Sequence, residues 1–448
     1  MNPENLRYRL LTAEKSIAPL IIFRVLFGFL MIFSLVRFYL NGWITDQYLT
    51  PKLHFPYYGF EWVRNPGEAG IYLLFSLALI GATGILVGAF YRISAIVFFF
   101  SFTYLELIDK TNYLNHYYFV SLVAFLIIFL PLNGNFSIDV RRNPASLQCI
   151  VPAWMINIIK FQLAIVYCYA GIAKLNYDWL VEAMPLQIWL KAHIDFPLIG
   201  SLFAKKWVAY FFSWFGAAYD LLIVFFLINN RTRPFAYFFV ISFHVLTWLL
   251  FPIGVFPWVM IAFSSIFLSD GTHRQLLNSL EKVFNFKSDS HAKVRNVRQT
   301  GSLVRAVFVL FVVFQLLFPW RYLLYPGDLF WNEQGFRFSW RVMLIEKAGY
   351  ATFYVTDPQT GRRGQVANYE YLTPQQEKMM ATQPDMIWQF ANYLEEEYKQ
   401  KGIEDPIINA EVYATLNGSR SRLLIDPTVD LTEVKDDFSP KSWITEAP

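Results

Sequence analysis

Long apolar stretches dominate the first 320 residues of this chain and constrain its fold more than any other feature. Stretches of about 17–25 apolar residues match the roughly 30 Å hydrocarbon core of a lipid bilayer. We predict about nine spans, at 17–40, 70–90, 93–108, 117–131, 156–174, 207–228, 234–250, 254–269 and 303–319. The aromatic, proline-bearing segment YLTPKLHFPYYGFEWV, between the first two spans, is more typical of an interfacial or re-entrant segment.

Charge divides the chain into two parts. Residues 1–320 hold 25 Lys and Arg and 15 Asp and Glu, whereas residues 321–448 hold 13 and 19. The first part is as poor in charge as a membrane protein, and the second has the composition of a soluble domain. We therefore predict a polytopic α-helical transmembrane domain over 1–320 and an extramembrane domain over 321–448. The basic residues form no patch with aromatic residues, so no nucleic-acid partner is expected.

The basic residues also orient the spans. With a cytoplasmic N-terminus, the cytoplasmic segments hold 15 Lys and Arg, and the outer loops up to residue 320 hold six. Cytoplasmic loops carry the excess of basic residues in membrane proteins, which favours this orientation. Nine spans then place the extramembrane domain outside. The N-terminal segment has no short apolar core with a cleavage site, so the first span is expected to be a retained anchor.

The extramembrane domain is predicted to be mainly β, with an α+β arrangement. VMLIEKAGYATFYVTDPQTGRRGQV alternates like two strands around a DPQTG turn. TPQQEKMMATQPDMIWQFANYLEEEYKQKG is predicted to be a helix, with Thr373 as its N-cap, Pro374 in its first turn and Gly402 after its last. AEVYATLNG and SRLLIDP indicate a closing hairpin.

Polar residues at the outer ends of spans are candidates for chemistry, because polar groups are costly there. LELIDKTNYLNHYYF (105–119) and YAGIAKLNYDW (169–179) both lie at the outer side, so His116 and Lys174 are expected at the same membrane depth. Lys174 is either a lysine whose ammonium reaches the headgroups or a desolvated general base. His116 is either a hydrogen-bonded structural histidine or a functional residue. Asp109 and Lys110 either belong to this polar cluster or simply form a solvated pair that caps the loop.

Two more polar residues lie inside predicted spans. His244, in VISFHVLTW, is either a contact between helices or a pocket residue. Asp220, in AAYDLLIVF, is expected to pair with an intramembrane base such as Arg24 or to be protonated, because an unpaired carboxylate in lipid is improbable. Gly171 and Ala173 leave room beside Lys174 for close helix packing or for a ligand.

Neither the cysteines nor any known metal-binding, phosphate-binding or nucleophile motif indicates a function. Cys149 lies in a predicted loop and Cys168 in a predicted span, so no disulfide is expected between them. No spacing of His, Cys or carboxylates indicates a metal site. The sequence has no phosphate-binding glycine loop and no nucleophile elbow.

A series of motifs nevertheless resembles a known family over almost the whole chain. FRVLFGFLM, LIDKTNYLNHYY, IVYCYAGIAKLNYDWLVE and FHVLTWLLFPIGVFPWVMIAFSSIFL are followed by NEQGFRFSWRVML, DPQTGRRGQV and LLIDPTVDL. In this order they resemble vitamin K-dependent γ-glutamyl carboxylases. The chain looks like a bacterial homologue of the horizontally transferred transmembrane domain type, which implies a bacterial inner-membrane protein with a periplasmic C-terminal domain.

The resemblance implies a carbon–carbon lyase that lies in the lipid bilayer. Its substrate would be a glutamate-containing polypeptide. Its cofactors would be vitamin K hydroquinone, of the menaquinone or phylloquinone type, together with O2 and CO2, and a quinone reductase would be a partner. In that family a lysine deprotonates the hydroquinone, and the oxygenated quinol removes a glutamate γ-proton as it becomes the 2,3-epoxide. CO2 then adds to the carbanion.

The family's site residues carry over by position. Lys174 matches the family base, and Asn115 and His116 match the pair that contacts the quinol and supports oxygenation; His116 is expected to orient rather than to be the principal base. The resemblance also assigns to quinol or substrate binding the residues Tyr167, Tyr169, Asp178, Trp179, His244, Trp340 and Met343.

Physical chemistry agrees with a site among apolar spans, because bulk water would quench so strong a base. Two alternatives stay open. One is a vitamin K hydroquinone epoxidase without glutamate carboxylation, and the other is a non-enzymatic transporter or scaffold with the same fold. A transporter is expected to show repeated halves, and the sequence has no such repeat.

Overall fold

The computed structural model describes residues 11–286, 301–435 and 437–447. Ten helices of eight or more residues occupy its first part: α1 (Ala18–Leu40), α2 (Gly67–Val87), α3 (Tyr91–Ile108), α4 (Asn115–Phe129), α5 (Ala153–Ala173), α6 (Lys206–Ile228), α7 (Arg233–Leu250), α8 (Phe256–Ser264), α9 (Asp270–Val283) and α10 (Ser302–Leu317). Short helical segments lie at Ile138–Arg142, Tyr177–Leu180, Leu186–Lys191, Gly200–Phe203 and Leu329–Asn332. Together, the long helices define a polytopic α-helical membrane domain.

Seven of these helices are long and apolar enough to cross a membrane, namely α1, α2, α3, α5, α6, α7 and α10 with the turn that follows it. The predicted spans at 117–131 and 254–269 coincide with shorter apolar helices, α4 and α8. Helix α4 ends early because Pro131 forces Leu130 into an extended conformation, with ψ of 147°. The predicted number of spans is therefore close, with two of the nine shorter than a full span.

Helix α4 nevertheless joins the two ends of the helical part. At its start, the side chain of Asn115 donates a hydrogen bond to the carbonyl of Arg341, next to the C-terminal part of the chain. Beyond its end, the chain returns to the start of α1, where Ile17 N–H donates to the carbonyl of Cys149 at 2.9 Å. Strands β1 (Glu14–Ser16) and β2 (Ile150–Pro152) pair antiparallel at this same end.

The C-terminal part is an α+β unit, as predicted. Strands β3 (Lys347–Thr356), β4 (Arg363–Gln365), β5 (Ile407–Leu416) and β6 (Arg422–Leu423) form an antiparallel sheet in the order β4-β3-β5-β6. Both predicted hairpins are present, and the backbone of Gly361 closes the DPQTG turn onto Asp357. Alternate residues of β3 and β5 are buried against helices α11 (Pro374–Met380) and α12 (Pro384–Gln400).

The prediction of a single helix over 373–402 was wrong, because the structure contains two helices there. Thr373 caps α11 in a capping box with Gln376, as the sequence indicates. The helix then breaks before Pro384, since the residue that precedes a proline is pushed out of the helical region. Gln383 accordingly has φ −124° and ψ 109°. Gly402 follows the second helix with a positive φ of 92°.

The segment between α1 and α2 packs on the α+β unit. The Phe55 side chain is fully buried in the core of that unit. The carbonyls of Leu53 and Pro56 accept hydrogen bonds from Gln376 and Gln389. This aromatic segment therefore contributes to docking the α+β unit on the helical part.

Asp109 and Lys110 also join the two parts, so the interpretation of these residues as a solvated pair was wrong. Their exposed fractions are only 1% and 3%. Asp109 caps the turn through Thr111, as expected, but its second oxygen accepts a hydrogen bond from Gln376 at 3.0 Å. The Lys110 ammonium forms an ion pair of 2.6 Å with Asp385 at the start of α12. The motif is buried because the α+β unit covers it.

Candidate functional site

The end of α5 and the middle of α6 approach each other closely beside Lys174. A Cβ at Gly171 would lie 2.8 Å from the backbone nitrogen of Leu221, so only glycine permits this helix spacing. Of the two uses that the sequence left open for Gly171, the structure shows helix packing. The approach brings Asp220, the residue before Leu221, to the end of α5, where Lys174 follows the last helical turn.

The Lys174 side chain points inward. Its Nζ lies 2.8 Å from Asp220 Oδ2, 3.4 Å from the carbonyl of Ala170 and 3.5 Å from the carbonyl of Val342. The ammonium also lies 5.2 Å from the ring centroid of Trp179. Only 6% of the residue is exposed, so the side chain does not extend to the headgroup region.

Asp220 pairs with Lys174 and not with Arg24, the partner suggested by the sequence. The Arg24 guanidinium instead donates to the carbonyl of Phe136. The reason is position along the helices: Arg24 lies near the start of α1, and Phe136 lies in the loop after α4, at the end remote from Lys174. An intramembrane carboxylate with a lysine partner remains a costly arrangement, of the kind found at functional sites.

Lys174 and Asp220 face a mostly apolar cavity between α5, α6, α7 and α8. Its wall consists of Val166, Tyr167, Ala170, Lys174, Trp179, Leu186, Trp189, Phe212, Gly216, Asp220, Phe243, His244, Thr247, Phe251, Ile253, Phe256, Met260, Val342 and Met343. Ligand sites in proteins commonly combine such apolar and aromatic walls with a few polar groups. Val342 and Met343 come from the segment before the α+β unit, so the cavity lies where the two parts of the chain meet.

A second polar group in the cavity is the histidine of α7. His244 Nε2 lies 3.0 Å from the Tyr167 hydroxyl, which in turn lies 3.2 Å from Ser264 Oγ. His244 Nδ1 is buried without a hydrogen-bond partner among the described residues. The residue therefore combines the two roles that the sequence left open, since it contacts a neighbouring helix and lines the cavity.

The predicted site residues divide into those in the cavity wall, those next to it and those elsewhere. Five line the cavity: Tyr167, Lys174, Trp179, His244 and Met343. His116 lies behind the wall, with its ring centroid 5.7 Å from that of Phe256, a lining residue. Asn115 supports the wall, because its hydrogen bond of 3.0 Å to the carbonyl of Arg341 fixes the segment that continues into Val342.

The structure does not bring Tyr169, Asp178 and Trp340 into the cavity. The Tyr169 hydroxyl donates to the carbonyl of Leu316 on α10, since a residue two positions after Tyr167 lies on the opposite side of the helix. Asp178 accepts a hydrogen bond of 2.7 Å from Asn417 of the α+β unit. Trp340 is fully buried against the rings of Tyr118 and Phe119.

Sequence analysis did not assign Asp220 and Trp189 to the site. Asp220 had a usable signal, because a carboxylate in the middle of a span calls for a partner or a function. Trp189 had none, since it lies in the short helical segment Leu186–Lys191, which reaches the cavity only through tertiary packing. Its indole nitrogen donates to Glu346 at 2.6 Å, a further contact between the two parts of the chain.

No group of three His, Cys, Asp or Glu within residues 11–286, 301–435 and 437–447 is arranged to hold a metal ion. Both cysteines, Cys149 and Cys168, are free thiols. The ionisable groups in the cavity wall are those of Lys174, Asp220, His244 and Tyr167.

This fold and cavity define an integral membrane protein whose mostly apolar cavity lies beneath an extramembrane α+β domain. Comparison with family models is consistent with that class. A model of the HTTM domain matches residues 13–271, more than half of the chain. A model of the vitamin K-dependent gamma-carboxylase lumenal domain matches residues 300–448. The chain belongs to the vitamin K-dependent γ-carboxylase family, which confirms the resemblance seen in its motifs. No solved structure matches the chain.

Proposed function

We propose that this protein is a vitamin K-dependent γ-glutamyl carboxylase whose active site is the cavity around Lys174. One observation carries the proposal: a buried lysine, paired with a carboxylate, faces an apolar cavity directly beneath the lumenal domain of this family. When bound, vitamin K hydroquinone supplies with O2 the strong base for glutamate, and CO2 is the carbon donor. The apolar wall suits the ring and prenyl tail of a membrane quinol.

Lys174 is the proposed base that takes the proton of the quinol hydroxyl. It can do so only as a neutral amine, and Asp220 Oδ2 lies close enough, at 2.8 Å, to accept a proton from the ammonium. Asp220 also fixes the direction of Nζ toward the cavity. We therefore assign Asp220 as a positioning residue that keeps Lys174 oriented toward the cavity.

The other cavity residues bind the quinol or exclude water from the site. His244 and Tyr167 form a polar pair on the wall opposite the α+β domain and are suited to hold a quinol oxygen. His116 acts through Phe256, against which it packs, and Asn115 acts through the segment that carries Val342. The remaining lining residues keep the site dry, which an unquenched strong base requires.

The glutamate-bearing polypeptide would approach from the side of the lumenal domain, since Val342 and Met343 separate the cavity from that domain. We propose a bacterial inner membrane with this domain in the periplasm and the N-terminus in the cytoplasm. A quinone reductase would be needed to return the oxidised vitamin to its hydroquinone form.

The test is a coupled assay with the purified full-length protein. The protein is incubated with vitamin K hydroquinone, O2, labelled bicarbonate and a glutamate peptide, and both epoxide and fixed label are measured. Epoxide together with fixed label is the expected result. Epoxide without label would overturn carboxylation in favour of an epoxidase, and neither product would indicate a non-enzymatic protein. A Lys174→Ala protein, prepared in parallel, serves as the blank.

A further inference from the structure

A second cavity lies at the end of the helical part that is remote from Lys174. It has a volume of about 210 Å³ and lies between the starts of α1 and α5, the turn between α6 and α7, and the residues after α8. Three basic residues line it, Lys15, Lys160 and Arg233. The proposed carboxylase chemistry uses none of these residues, so their clustering calls for a separate explanation.

Lys160 is the most constrained of the three. It lies seven residues after the start of α5, which places it about 10 Å along the helix axis. Because helical side chains lean toward the N-terminus, its ammonium extends back toward this cavity. Its Nζ lies 5.6 Å from the ring centroid of Phe267. Within the part of the chain that the structure describes, its ammonium forms no hydrogen bond and no ion pair in direct contact, although Asp270 lies near enough to attract it and Lys15 and Arg233 near enough to repel it.

The charge of the cavity wall is not balanced by its own acidic residue. The Arg233 guanidinium donates to the carbonyls of Leu227 and Ile228 and to the side chain of Asn230, all neutral acceptors, and none of the described carboxylates pairs with it. Among the described residues of the wall, Asp270 is the one carboxylate, and it is paired with Arg274 at 2.8 Å, outside the cavity. Three cations and one anion leave a formal charge of +2 in the wall.

The wall also combines apolar surface with basic groups, as a lipid with an anionic headgroup requires. Pro19, Ile156 and Leu268 contribute apolar surface beside the basic groups. Basic cavities between transmembrane helices are suited to anionic lipid headgroups, and an ammonium or guanidinium binds a phosphate through charge-assisted hydrogen bonds. The unpaired charge and the apolar surface thus point to one ligand chemistry.

We propose that this cavity binds a phosphate-bearing anion, namely the headgroup of an anionic phospholipid, through Lys160 and Arg233. The site is distinct from the cavity around Lys174 and does not depend on the proposed carboxylase activity. A bound lipid would join α1, α5 and the turn between α6 and α7, and it would stabilise the helical part.

Binding of defined lipids to the full-length protein in a neutral detergent tests this proposal. Phosphatidylglycerol, phosphatidylcholine and inorganic phosphate are added separately, and native mass spectrometry with thermal unfolding reports binding and Tm. We expect one saturable site for phosphatidylglycerol, a raised Tm and weaker binding of phosphatidylcholine. Lys160→Met should weaken phosphatidylglycerol binding about five- to tenfold, as expected for one lost basic contact.

Matched variants make the result specific. Lys282→Met makes the same change at an exposed lysine of α9 and should leave binding unaltered. Lys160→Arg should retain most of the affinity, which shows that charge and not shape is responsible. Equal binding of the two lipids, or an unaltered Lys160→Met protein, would overturn the proposal. If inorganic phosphate binds as tightly as phosphatidylglycerol and depends on Lys160, the lipid is overturned as the source of the anion.

Discussion

Lys174 and Asp220 place opposite charges in the same apolar cavity, so removing either one affects stability as well as chemistry. We predict that Lys174→Ala abolishes quinol epoxidation, because the base is lost. It should also lower stability at neutral pH, since an unpaired buried carboxylate costs about 3–5 kcal/mol. Lys174→Arg should be inactive too, because a guanidinium is effectively never deprotonated. Epoxide formation and thermal unfolding, measured in parallel, separate the two effects.

A double variant provides the control for charge. Lys174→Ala with Asp220→Asn removes both charges and should recover most of the lost Tm while it stays inactive. A small exogenous amine should partly restore epoxidation to Lys174→Ala. Turnover at the wild-type rate by Lys174→Ala without added amine would exclude this residue as the base.

Asp220 can be tested against a second aspartate that the structure places outside the cavity. We predict that Asp220→Asn lowers the epoxidation rate about 10- to 100-fold and displaces its pH profile, since general acid–base steps contribute about 10²–10⁴-fold and this residue acts through Lys174. Asp178→Asn makes the same change where the carboxylate only contacts Asn417. It should leave the rate within about twofold of wild type. Equal losses in the two variants would argue against a positioning role for Asp220.

At the scale of helices, the distance between α5 and α6 determines whether Asp220 reaches Lys174. We predict that Gly171→Ala separates the two helices, because its Cβ would contact the backbone of Leu221, and overpacking of this kind costs about 1–3 kcal/mol. Epoxidation should fall with Tm. Gly216→Ala is the matched control for stability, since the nearest atom to its Cβ is 3.8 Å away on Trp179. A Gly171→Ala protein with wild-type Tm and activity would show that the helices tolerate a wider spacing.

The contact between α12 and the helical part depends on the charge of Asp385. Burial alone would raise the pKa of this carboxyl, but the Arg337 guanidinium and the Lys110 ammonium hold its pKa well below the usual range. A carboxyl in an unfolded chain titrates near pH 4. The stabilisation by Asp385 is therefore complete above about pH 5 and is lost as pH falls below about 4, toward the folded pKa.

We therefore predict that acid weakens the docking of the α+β domain on the helical part. Limited proteolysis or hydrogen exchange of the segment around Phe55, followed from about pH 6 to pH 3, should show this loss. Asp385→Asn should weaken docking already at neutral pH and should flatten the acid dependence. Asp405→Asn, at an exposed position in the same domain, should behave as wild type. Parallel pH curves for wild type and Asp385→Asn would contradict the prediction.

The sequence predicts an element correctly where neighbouring residues determine it, and fails where the packing of distant segments does. The DPQTG turn, the Thr373 cap and the apolar length of α1 are local features, and each was predicted correctly. The pairing of Asp220 with Lys174 depends on how α5 and α6 pack, so the sequence showed the need for a partner but not which residue supplies it. The burial of Lys110 was missed for the same reason, because it results from docking of a distant domain. The domain boundary at residue 320 stays a prediction.

At the scale of the whole molecule, the two ends of the helical part differ in charge, and the α+β domain covers only one of them. One end lies beneath the α+β domain and contains the cavity around Lys174. The other end is formed by β1, which carries Lys15, by β2 and by the start of α7, which carries Arg233. This polarity matches the excess of basic residues expected in cytoplasmic segments. It places the proposed carboxylase site and the proposed lipid site at opposite membrane faces.

That polarity leads to a test of orientation in intact cells. An odd number of crossings, whether seven or nine, places the α+β domain on the side opposite the N-terminus. In a protein with Cys149→Ser and Cys168→Ser, we predict that a cysteine at Ser421 reacts with an impermeant maleimide from outside, because it is exposed on the α+β domain. A cysteine at Ser279, exposed on α9, should react only after the membrane is permeabilised. Labelling at 279 but not at 421 in intact bacteria would invert the orientation, and the carboxylase site would then face the cytoplasm.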